Sequence, residues 1–300
     1  MPTRPKIAVL LATYNGAEWL EVQLRSILAC IDVDIHIFMS DDGSTDGTIE
    51  IAKDVCGSRL TLLPPNPKGS AGQNFIRLML DAQWNGFDYV CLSDQDDVWN
   101  RGKLARAVYA LKTNDAAAYS SDVTAFWPNG VRRYIHKSQR QRRWDYLFES
   151  AGPGNTFVFP ISQACFLRSF LKAADHSILC SISLHDWAFY AIFREAGKLW
   201  YIDEHSALDY RQHENNVVGA SNGFKAIRSR LKLMGNGWYR QQIDHIAKLS
   251  GAENPVIDFI RAPGLRGALV AITKVRECRR KASDAGVLAL LFFILAFIRE

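Results

Sequence analysis

Apolar and polar positions repeat along residues 1–115 in the order of alternating strands and helices. Ile7–Ala12 is a continuous apolar run, which is typical of a strand buried on both faces of a parallel sheet. Glu18–Cys30 follows with apolar residues at helical spacing, and the alternation then continues. The further predicted elements are strands at Ile35–Met39, Leu60–Leu63 and Tyr89–Leu92 and a helix at Ser70–Asp81. Repeated strand–helix units predict an α/β fold with three layers and a mostly parallel central sheet.

The regular alternation stops after residue 115. Arg132–Arg143 is rich in arginine and is predicted to be an exposed, mobile loop. Residues 223–250 have the pattern of an amphipathic helical segment. The other predicted elements are strands at Ala116–Phe126, Thr156–Pro160 and Lys198–Ile202 and helices at Ser169–Ala174 and Trp187–Ala196. We therefore divide the chain into halves at 1–115 and 116–222 and a helical extension at 223–300.

The charge is distributed unevenly along the chain. Residues 1–222 carry 22 Lys and Arg against 25 Asp and Glu, whereas residues 223–300 carry 14 against 6. A basic extension indicates an anionic partner, either nucleic acid or anionic lipid. No nucleic-acid-binding motif accompanies the charge, so the sequence favours a lipid surface.

Val287–Ile298 is an apolar run of twelve residues that follows Arg276, Arg279, Arg280 and Lys281. As a helix it would reach only about 18 Å, well short of a hydrocarbon core of about 30 Å. A basic stretch before such a helix fits attachment to the inner face of a membrane. A helix in the core or in a dimer interface is the alternative, and the sequence leaves both open.

The six cysteines show neither metal-ligand spacing nor a CxxC pair. They predict reduced thiols and a cytoplasmic protein. No long apolar segment precedes Ala12, so no signal peptide is expected.

The run Leu92-Ser93-Asp94-Gln95-Asp96-Asp97-Val98-Trp99 places three carboxylates within four residues at the end of a predicted strand. Carboxylates this close repel one another, and a divalent cation that also binds substrate phosphates is the usual compensation. Strand ends are also where open α/β sheets bind ligands. The run therefore indicates a site for a metal–diphosphate complex, with a solvated acidic turn as the alternative.

The turn at residues 41–47 follows the second strand and is rich in Asp, Gly, Ser and Thr. These residue types are expected in an ordinary capped turn, but an aspartate there can also accept hydrogen bonds from a base or a ribose. Thr13-Tyr14-Asn15-Gly16 ends the first strand at the same edge. Neither GxGxxG nor GxxxxGK[ST] occurs, which argues against dinucleotide and P-loop modes of binding.

Five short motifs together resemble the family 2 inverting glycosyltransferases of the GT-A (nucleotide-diphosphosugar transferase) fold. They are Ala12–Gly16, Ser40–Asp46, Ser93–Trp99, His185-Asp186-Trp187 and Arg211-Gln212-His213-Glu214-Asn215-Asn216. SDQDDVW and RQHxxN are most similar to the bacterial rhamnosyltransferase branch of surface polysaccharide assembly. The resemblance implies a nucleotide-diphosphate sugar donor, with dTDP-rhamnose as the best single candidate, and a glycan or lipid-linked acceptor.

The resemblance also implies roles for individual residues. Asp42 would bind the nucleobase, with Thr13, Tyr14 and Asn15 around the nucleoside. Asp96 would be the metal ligand for Mg²⁺ or Mn²⁺, Asp94 would face the ribose or the water ligands of the metal, and His213 would complete the metal site. Asp186 would be the catalytic base. Further possible contacts are Asp97, His185, Trp187 and Arg211.

The chemistry of inverting transfer agrees with such a residue set. An acceptor hydroxyl needs a positioned carboxylate to take its proton, and a diphosphate leaving group needs a divalent cation. Each residue also has a structural alternative: Asp186 as a helix N-cap, His213 as a surface histidine, and Trp99 and Trp187 as packing residues. The arginine-rich segment could be a solvated loop, or a lid or contact for the diphosphate of a lipid-linked acceptor.

Two other functions compete with glycosyl transfer. A sugar nucleotidyltransferase would use a similar sheet and a metal, but it needs a basic, glycine-rich loop that residues 13–17 lack. A non-catalytic scaffold at the membrane would not need the aspartates of the three motifs. The sequence thus predicts a metal-dependent glycosyltransferase associated with the cytoplasmic face of the membrane.

Overall fold

The computed structural model describes residues 3–213 and 237–297. The strands are β1 (Lys6–Thr13), β2 (Asp34–Asp41), β3 (Leu60–Leu62), β4 (Tyr89–Ser93), β5 (Val98–Trp99), β6 (Ala118–Ser121), β7 (Val123–Phe126), β8 (Arg132–Ile135), β9 (Val158–Pro160), β10 (Trp200–Asp203) and β11 (Leu208–Arg211). The helices are α1 (Ala17–Leu28), α2 (Thr48–Cys56), α3 (Ala71–Asp81), α4 (Lys103–Thr113), α5 (Ile161–Ala173), α6 (His176–Cys180), α7 (His185–Glu195), α8 (Trp238–Ser250), α9 (Pro255–Arg261), α10 (Leu265–Thr273), α11 (Val275–Cys278) and α12 (Ala282–Leu295).

Seven strands form the central sheet, in the order β10-β6-β9-β4-β1-β2-β3. The strands β4, β1, β2 and β3 are parallel to one another, whereas β9 is antiparallel to both of its neighbours. Alternate residues of β1 enter different cores: Val9 and Leu11 pack with α1 and α4, and Ala8 and Leu10 pack with α3 and α7. The predicted three-layer α/β architecture with a mostly parallel sheet is thereby confirmed.

The strand predicted at Ala116–Phe126 is in fact two strands that belong to different sheets. β6 lies in the central sheet, and β7 joins a second sheet of order β5-β11-β7-β8. The chain changes sheets at Asp122, whose buried carboxylate accepts hydrogen bonds from the backbone N–H groups of Lys137 and Ser138. A pattern of apolar residues cannot reveal this change, because β6 and β7 both bury apolar residues and only Asp122 separates them.

The prediction of an exposed loop over Arg132–Arg143 is wrong for its first four residues. They form β8, which pairs antiparallel with β7. The hydroxyl groups of Tyr134, within β8, and of Ser138, just after it, donate to the carboxylate of Asp122. The arginine-rich segment is therefore a structured edge of the second sheet.

The C-terminal helices share the core of the central sheet. Tyr239 of α8 stacks on Trp187 of α7 with ring centroids 5.7 Å apart, and Phe292 of α12 meets Phe148 at 6.1 Å. The predicted helical segment at 223–250 is described only from residue 237 onward, with α8 beginning at Trp238, and the predicted division at residue 222 lies outside the described residues.

The apolar run of Val287–Ile298 lies largely in α12, which buries one side and exposes the other. Leu288 and Phe292 are buried, whereas Leu290 and Phe293 are more than half exposed. Within the described ranges, no helix has both the length and the apolar character needed to cross a membrane.

The basic residues before α12 do not form one exposed cluster. Arg280 is buried between Asp145 and Glu149, and Arg279 binds the carbonyl oxygen of Phe148. Arg276 and Lys281 are exposed. Part of the positive charge that the sequence analysis assigns to an anionic partner thus binds groups of the protein itself and stabilises the packing of α12.

Candidate active site

The candidate site lies where β1, β2 and β4 end at the same edge of the central sheet. The three strands are parallel, so the loops after Thr13, Asp41 and Ser93 lie side by side. These loops carry the first three motifs of the sequence analysis.

Gln95 joins the first loop to the third. Its side-chain oxygen accepts from the backbone N–H of Tyr14 at 2.8 Å, and its amide donates to the carbonyl oxygen of Tyr14 at 3.0 Å. Gly16 is required beside it, because a Cβ at that position would lie 2.3 Å from the oxygen of Gln95. The acidic run is therefore held in register with the loop after β1.

The first and second loops are also tied together. Asn15 accepts from the backbone N–H of Thr45 at 2.8 Å, and its own N–H donates to Ser44 at 2.8 Å. The side chain of Asn15 therefore shapes the loop. Tyr14 beside it is 57% exposed and remains available to a ligand.

The two aspartates after β2 have different surroundings. Asp41 accepts from Thr13 at 2.8 Å and from the N–H of Ser44 at 2.7 Å, so Thr13 and Asp41 shape the turn. Asp42 is partly exposed and accepts a hydrogen bond from the backbone N–H of Lys68. Its carboxylate thus lies between the turn and the loop that precedes α3.

The acidic run meets the end of β11 across the site. His213 Nε2 lies 2.8 Å from Asp96 Oδ2, and its ring stacks on Trp19 with centroids 4.2 Å apart. Arg211 donates from Nε to the carbonyl oxygen of Asp96 at 2.7 Å and from its backbone N–H to Asp97 at 3.1 Å. Asp97 is fully buried and also accepts from the amide of Asn155.

Two carboxyl groups of the acidic run, those of Asp94 and Asp97, resist ionisation. Burial, together with the negative charges of Asp96 and Asp186, raises the pKa of Asp94 to about 8. Burial raises the pKa of Asp97 well above its usual value, and Asp96 and Asp94 add to the effect. Burial and the same carboxylates raise the pKa of the Tyr210 hydroxyl. A cation among these groups would favour their ionised forms.

Asp186 lies in the first turn of α7, where the backbone N–H of Trp187 donates to its carboxylate at 2.8 Å. The N-cap of α7 is Leu184, so the interpretation of Asp186 as an N-cap is wrong. Burial raises its pKa to about 6, while the N–H of Trp187, Ser150 and Lys137 favour the ionised form. A carboxylate with this pKa is suited to accept a proton near neutral pH.

His185 and Trp187 are turned toward the core. The ring of His185 stacks on Phe75 with centroids 3.9 Å apart, and burial lowers its pKa to about 3. Trp187 donates from its indole nitrogen to the carbonyl oxygen of Tyr146 at 2.8 Å. Both side chains pack α7 against its neighbours and thereby fix the position of Asp186.

The residues of the cluster fit a divalent cation that substrate oxygens help to bind. In residues 3–213 and 237–297 no three His, Cys, Asp or Glu side chains form a metal site by themselves. Asp96 and His213 are adjacent, and Mg²⁺ and Mn²⁺ are commonly held by one or two protein groups together with substrate phosphates. The repulsion that raises the pKa of Asp94 is the kind that such a cation relieves.

Comparison with known proteins identifies the family. Residues 8–174 match the family described as Glycosyl transferase family 2. The dTDP-rhamnosyl transferase RfbG of Shigella flexneri is 40% identical over 291 residues, which cover 96% of this chain and 100% of the relative. The chain belongs to glycosyl transferase family 2. This glycosyltransferase is thus an enzyme that uses a nucleotide-sugar donor, and it is similar to rhamnosyltransferases over nearly its whole length.

More distant relatives agree with the family and the fold. The Escherichia coli UDP-Glc:alpha-D-GlcNAc-diphosphoundecaprenol beta-1,3-glucosyltransferase WfaP is 27% identical over 108 residues, 36% of this chain and 41% of that protein. A crystal structure of S. aureus TarS in complex with UDP-GlcNAc superposes with a TM-score of 0.54 at 13% identity, covering 97% of this chain and 86% of that one. The glycosyltransferase therefore has the predicted GT-A fold.

The structure brings most of the predicted site residues to one edge of the sheet. Several residues that the sequence analysis did not single out also lie there. Trp19 stacks on His213, Asn155 holds Asp97, and Ser150 and Lys137 lie near Asp186. Trp19, Asn155 and Ser150 are distant in sequence from the site residues they lie against, so no local pattern points to them. Lys137 belongs to the arginine-rich segment that the sequence analysis considered as a contact for an acceptor diphosphate.

Proposed function

We propose that this glycosyltransferase moves rhamnose from dTDP-rhamnose to a hydroxyl of a lipid-linked glycan, with inversion at the anomeric carbon and with Mg²⁺ or Mn²⁺. The observation that carries the proposal is the convergence of the Asp96–His213 pair, Asp94 and Asp186 at the carboxyl edge of the sheet. The Asp96–His213 pair can thus bind a metal–diphosphate complex while Asp186 accepts a proton.

Asp186 is the catalytic base in this proposal. It takes the proton of the acceptor hydroxyl while the oxygen attacks the anomeric carbon and the bond to the diphosphate breaks. Its pKa of about 6 leaves it ionised at neutral pH. The packing of His185 on Phe75 and the hydrogen bond of Trp187 hold α7, and with it this carboxylate, in place.

Asp96 and His213 would hold the divalent cation, and Asp94 would face the ribose or the water ligands of the metal. When bound, the cation supplies positive charge to the diphosphate leaving group. Asp42 and the exposed Tyr14 would contact the nucleoside, with Thr13 and Asn15 shaping the loops around it. Arg211 holds the backbone of Asp96 and the side chain of Asp97.

The donor and the acceptor are proposed from relatives. The name of RfbG, which aligns along its whole length, supports dTDP-rhamnose. The name of WfaP, a diphosphoundecaprenol glucosyltransferase, supports a lipid-linked acceptor. Such an acceptor requires the enzyme to work at the membrane surface.

The C-terminal helices support attachment to the membrane. α10 packs against α12, and both expose large apolar side chains. The exposed residues are Leu265, Leu269, Val270, Val287, Leu290, Phe293, Ile294 and Phe297. Arg266, Arg276 and Lys281 are exposed on or beside the same helices and can contact anionic lipid. The enzyme would therefore lie on the cytoplasmic face of the membrane.

A thermal-shift panel tests the proposed function. The protein is heated with nucleoside diphosphates, nucleotide sugars and nucleoside triphosphates, each with Mn²⁺ and with a chelator. The proposal requires a metal-dependent rise in melting temperature with dTDP and dTDP-rhamnose. A preference for a triphosphate would instead support a nucleotidyltransferase, and no shift with any nucleotide would support a scaffold.

A further inference from the structure

Lys137 is fixed at the edge of the active site by a buried carboxylate. Asp122 accepts from the backbone N–H groups of Lys137 and Ser138, the latter at 2.8 Å, and from the hydroxyl of Ser138 at 2.9 Å. The side chain of Asp122 is fully buried, so these bonds are shielded from water. The backbone of Lys137 is therefore set as firmly as a strand residue.

The side chain of Lys137 starts next to the turn that contacts Asp186. A Cβ at Gly152 would lie 3.9 Å from the Cβ of Lys137, and a Cβ at Gly154 would lie 3.4 Å from that of Asp186. Ser150 of the same turn donates to the carbonyl oxygen of Gly152 at 2.9 Å and lies near Asp186, where it favours the ionised form of that carboxyl and so lowers its pKa. Lys137 and the proposed base thus border one short segment, residues 150–154.

Positive charge accumulates beside this segment, where Arg280 donates to the carbonyl oxygen of Ser150. Arg280 pairs with Glu149 at 3.3 Å and Arg279 approaches it at 4.0 Å, so this single carboxylate faces two arginines and Lys137. Arg279 also pairs with Asp284 at 3.3 Å, and Arg280 lies 3.6 Å from Asp145. Those two acids pair with the arginines, whereas Glu149 is shared by Lys137 and both arginines.

The pKa of the Lys137 ammonium reflects its burial and these neighbouring charges. Burial, followed by the repulsion from Arg280, lowers the pKa of the Lys137 ammonium to about 8, although Glu149 acts in the opposite direction. An anion beside the ammonium would favour its charged form. The Lys137 residue as a whole is partly exposed, although its ammonium is largely shielded from water.

We propose that Lys137 binds an anionic group of the acceptor, a diphosphate, beside the proposed base. This assignment rests on the proposed function and names the part of the acceptor that Lys137 binds. Lys137 lies near Asp186 on one side and near Arg279 and Lys281 on the other, and Lys281 directly precedes α12 with its exposed apolar side chains. These apolar side chains, the cations and the Asp186 carboxylate match the lipid, the diphosphate and the sugar hydroxyl of one acceptor molecule.

Binding of geranyl diphosphate to the full-length protein tests this assignment. Calorimetry is done with dTDP and Mn²⁺ in excess, so that the donor site is filled. Wild type should bind the probe saturably, and Lys137→Met should raise its Kd at least ten-fold. Lys137→Arg, which keeps the charge, should stay within about three-fold, and Lys112→Met on α4 serves as a matched control with no expected change.

Several outcomes would overturn the assignment. Equal affinity in wild type, Lys137→Met and Lys137→Gln would show that the ammonium does not bind the probe. Geraniol that binds as tightly as geranyl diphosphate would show that the anion is not recognised. Inorganic pyrophosphate that binds as tightly would show a site for free diphosphate instead of a lipid-linked acceptor.

The same titrations separate this inference from the proposed function. Binding of dTDP with Mn²⁺ is measured first in every variant and should not change with Lys137. Failure of dTDP to bind the wild type would contradict the proposed donor site. The difference between wild type and Lys137→Met with geranyl diphosphate would still decide the role of Lys137.

Discussion

His213 Nε2 lies 2.8 Å from Asp96 Oδ2, although 117 residues separate the two in the chain. Trp19 stacks on the other side of the histidine, and Arg211 holds the backbone of Asp96. The end of β11 is thereby brought to the loop after β4. This contact places the only imidazole among the proposed metal ligands beside the acidic run.

Asp96→Ala should remove the metal dependence of nucleotide binding, because it deletes the proposed ligand. A thermal-shift titration of dTDP with and without Mn²⁺ measures this directly. His213→Ala should reduce the metal-dependent rise in melting temperature with dTDP. The double variant should lose no more of this rise than Asp96→Ala alone, since both residues act at one cation. Full metal-dependent stabilisation of Asp96→Ala by dTDP would show that Asp96 is not a metal ligand.

Asp186→Asn should lower the rate of transfer by about 10²- to 10⁴-fold, the usual contribution of a general base. The amide has nearly the same size, so dTDP should still bind with nearly unchanged affinity. Single-turnover transfer and dTDP calorimetry on the same preparation separate the two effects. Turnover near the wild-type rate would show that another group accepts the proton.

The pH profile of kcat should fall on the acid side near pH 6. Asp186 must be ionised to act as a base, and its pKa is raised to about 6, so activity is lost as the pH falls through that value. Lys137→Met should move this limb to higher pH, because the positive charge of Lys137 favours the ionised carboxylate. An acid limb of the kcat profile near pH 4 would show that the base is a solvated carboxylate and not the buried Asp186.

Asn155→Ala should destabilise the protein by about 1–3 kcal/mol, because it leaves the buried carboxylate of Asp97 without one of its donors. Urea unfolding measures this change. Asn85→Ala, at an exposed position, is the matched control and should change stability little. If both variants unfold at the wild-type midpoint, Asn155 does not support Asp97.

Leu290→Glu together with Phe293→Glu should reduce binding to vesicles of phosphatidylglycerol and phosphatidylethanolamine at least ten-fold. Both side chains are more than half exposed on α12, and insertion of carboxylates into the lipid interface is unfavourable. Tyr109→Glu, at another exposed aromatic on α4, is the control. Co-sedimentation that is equal for all three proteins would show that α12 does not contact lipid.

The apolar periodicity of the first 115 residues predicts β1, β2, β3, β4, α1 and α3 to within a few positions, whereas β5 and α4 lie outside the predicted elements. β1, β2 and β4 are buried on both faces and α1 on one, so local sequence reports their environment. Prediction failed where the environment depends on distant residues. The break at Asp122 and the pairing of β8 with β7 arise from contacts that no short window of sequence contains.

The same distinction holds for the candidate site. Motifs at strand ends locate Asp42 and Asp96, because the edge of a parallel sheet gathers them, whereas Asp186 lies in the first turn of α7. The contact of Asn155 with Asp97 spans 58 residues, so only the fold reveals it. The basic residues before α12 illustrate the opposite error: sequence assigns Arg280 to a partner, whereas the structure buries it against Asp145.

Release of dTDP from dTDP-rhamnose tests the central claim most directly. The reaction contains a lipid extract from the source cells as acceptor, with Mn²⁺ or with a chelator, and wild type is compared with Asp186→Asn. We expect metal-dependent release of dTDP with rhamnose incorporated into lipid by wild type and almost none by Asp186→Asn. Equal incorporation by the two proteins, or incorporation that the chelator leaves unchanged, would contradict the account.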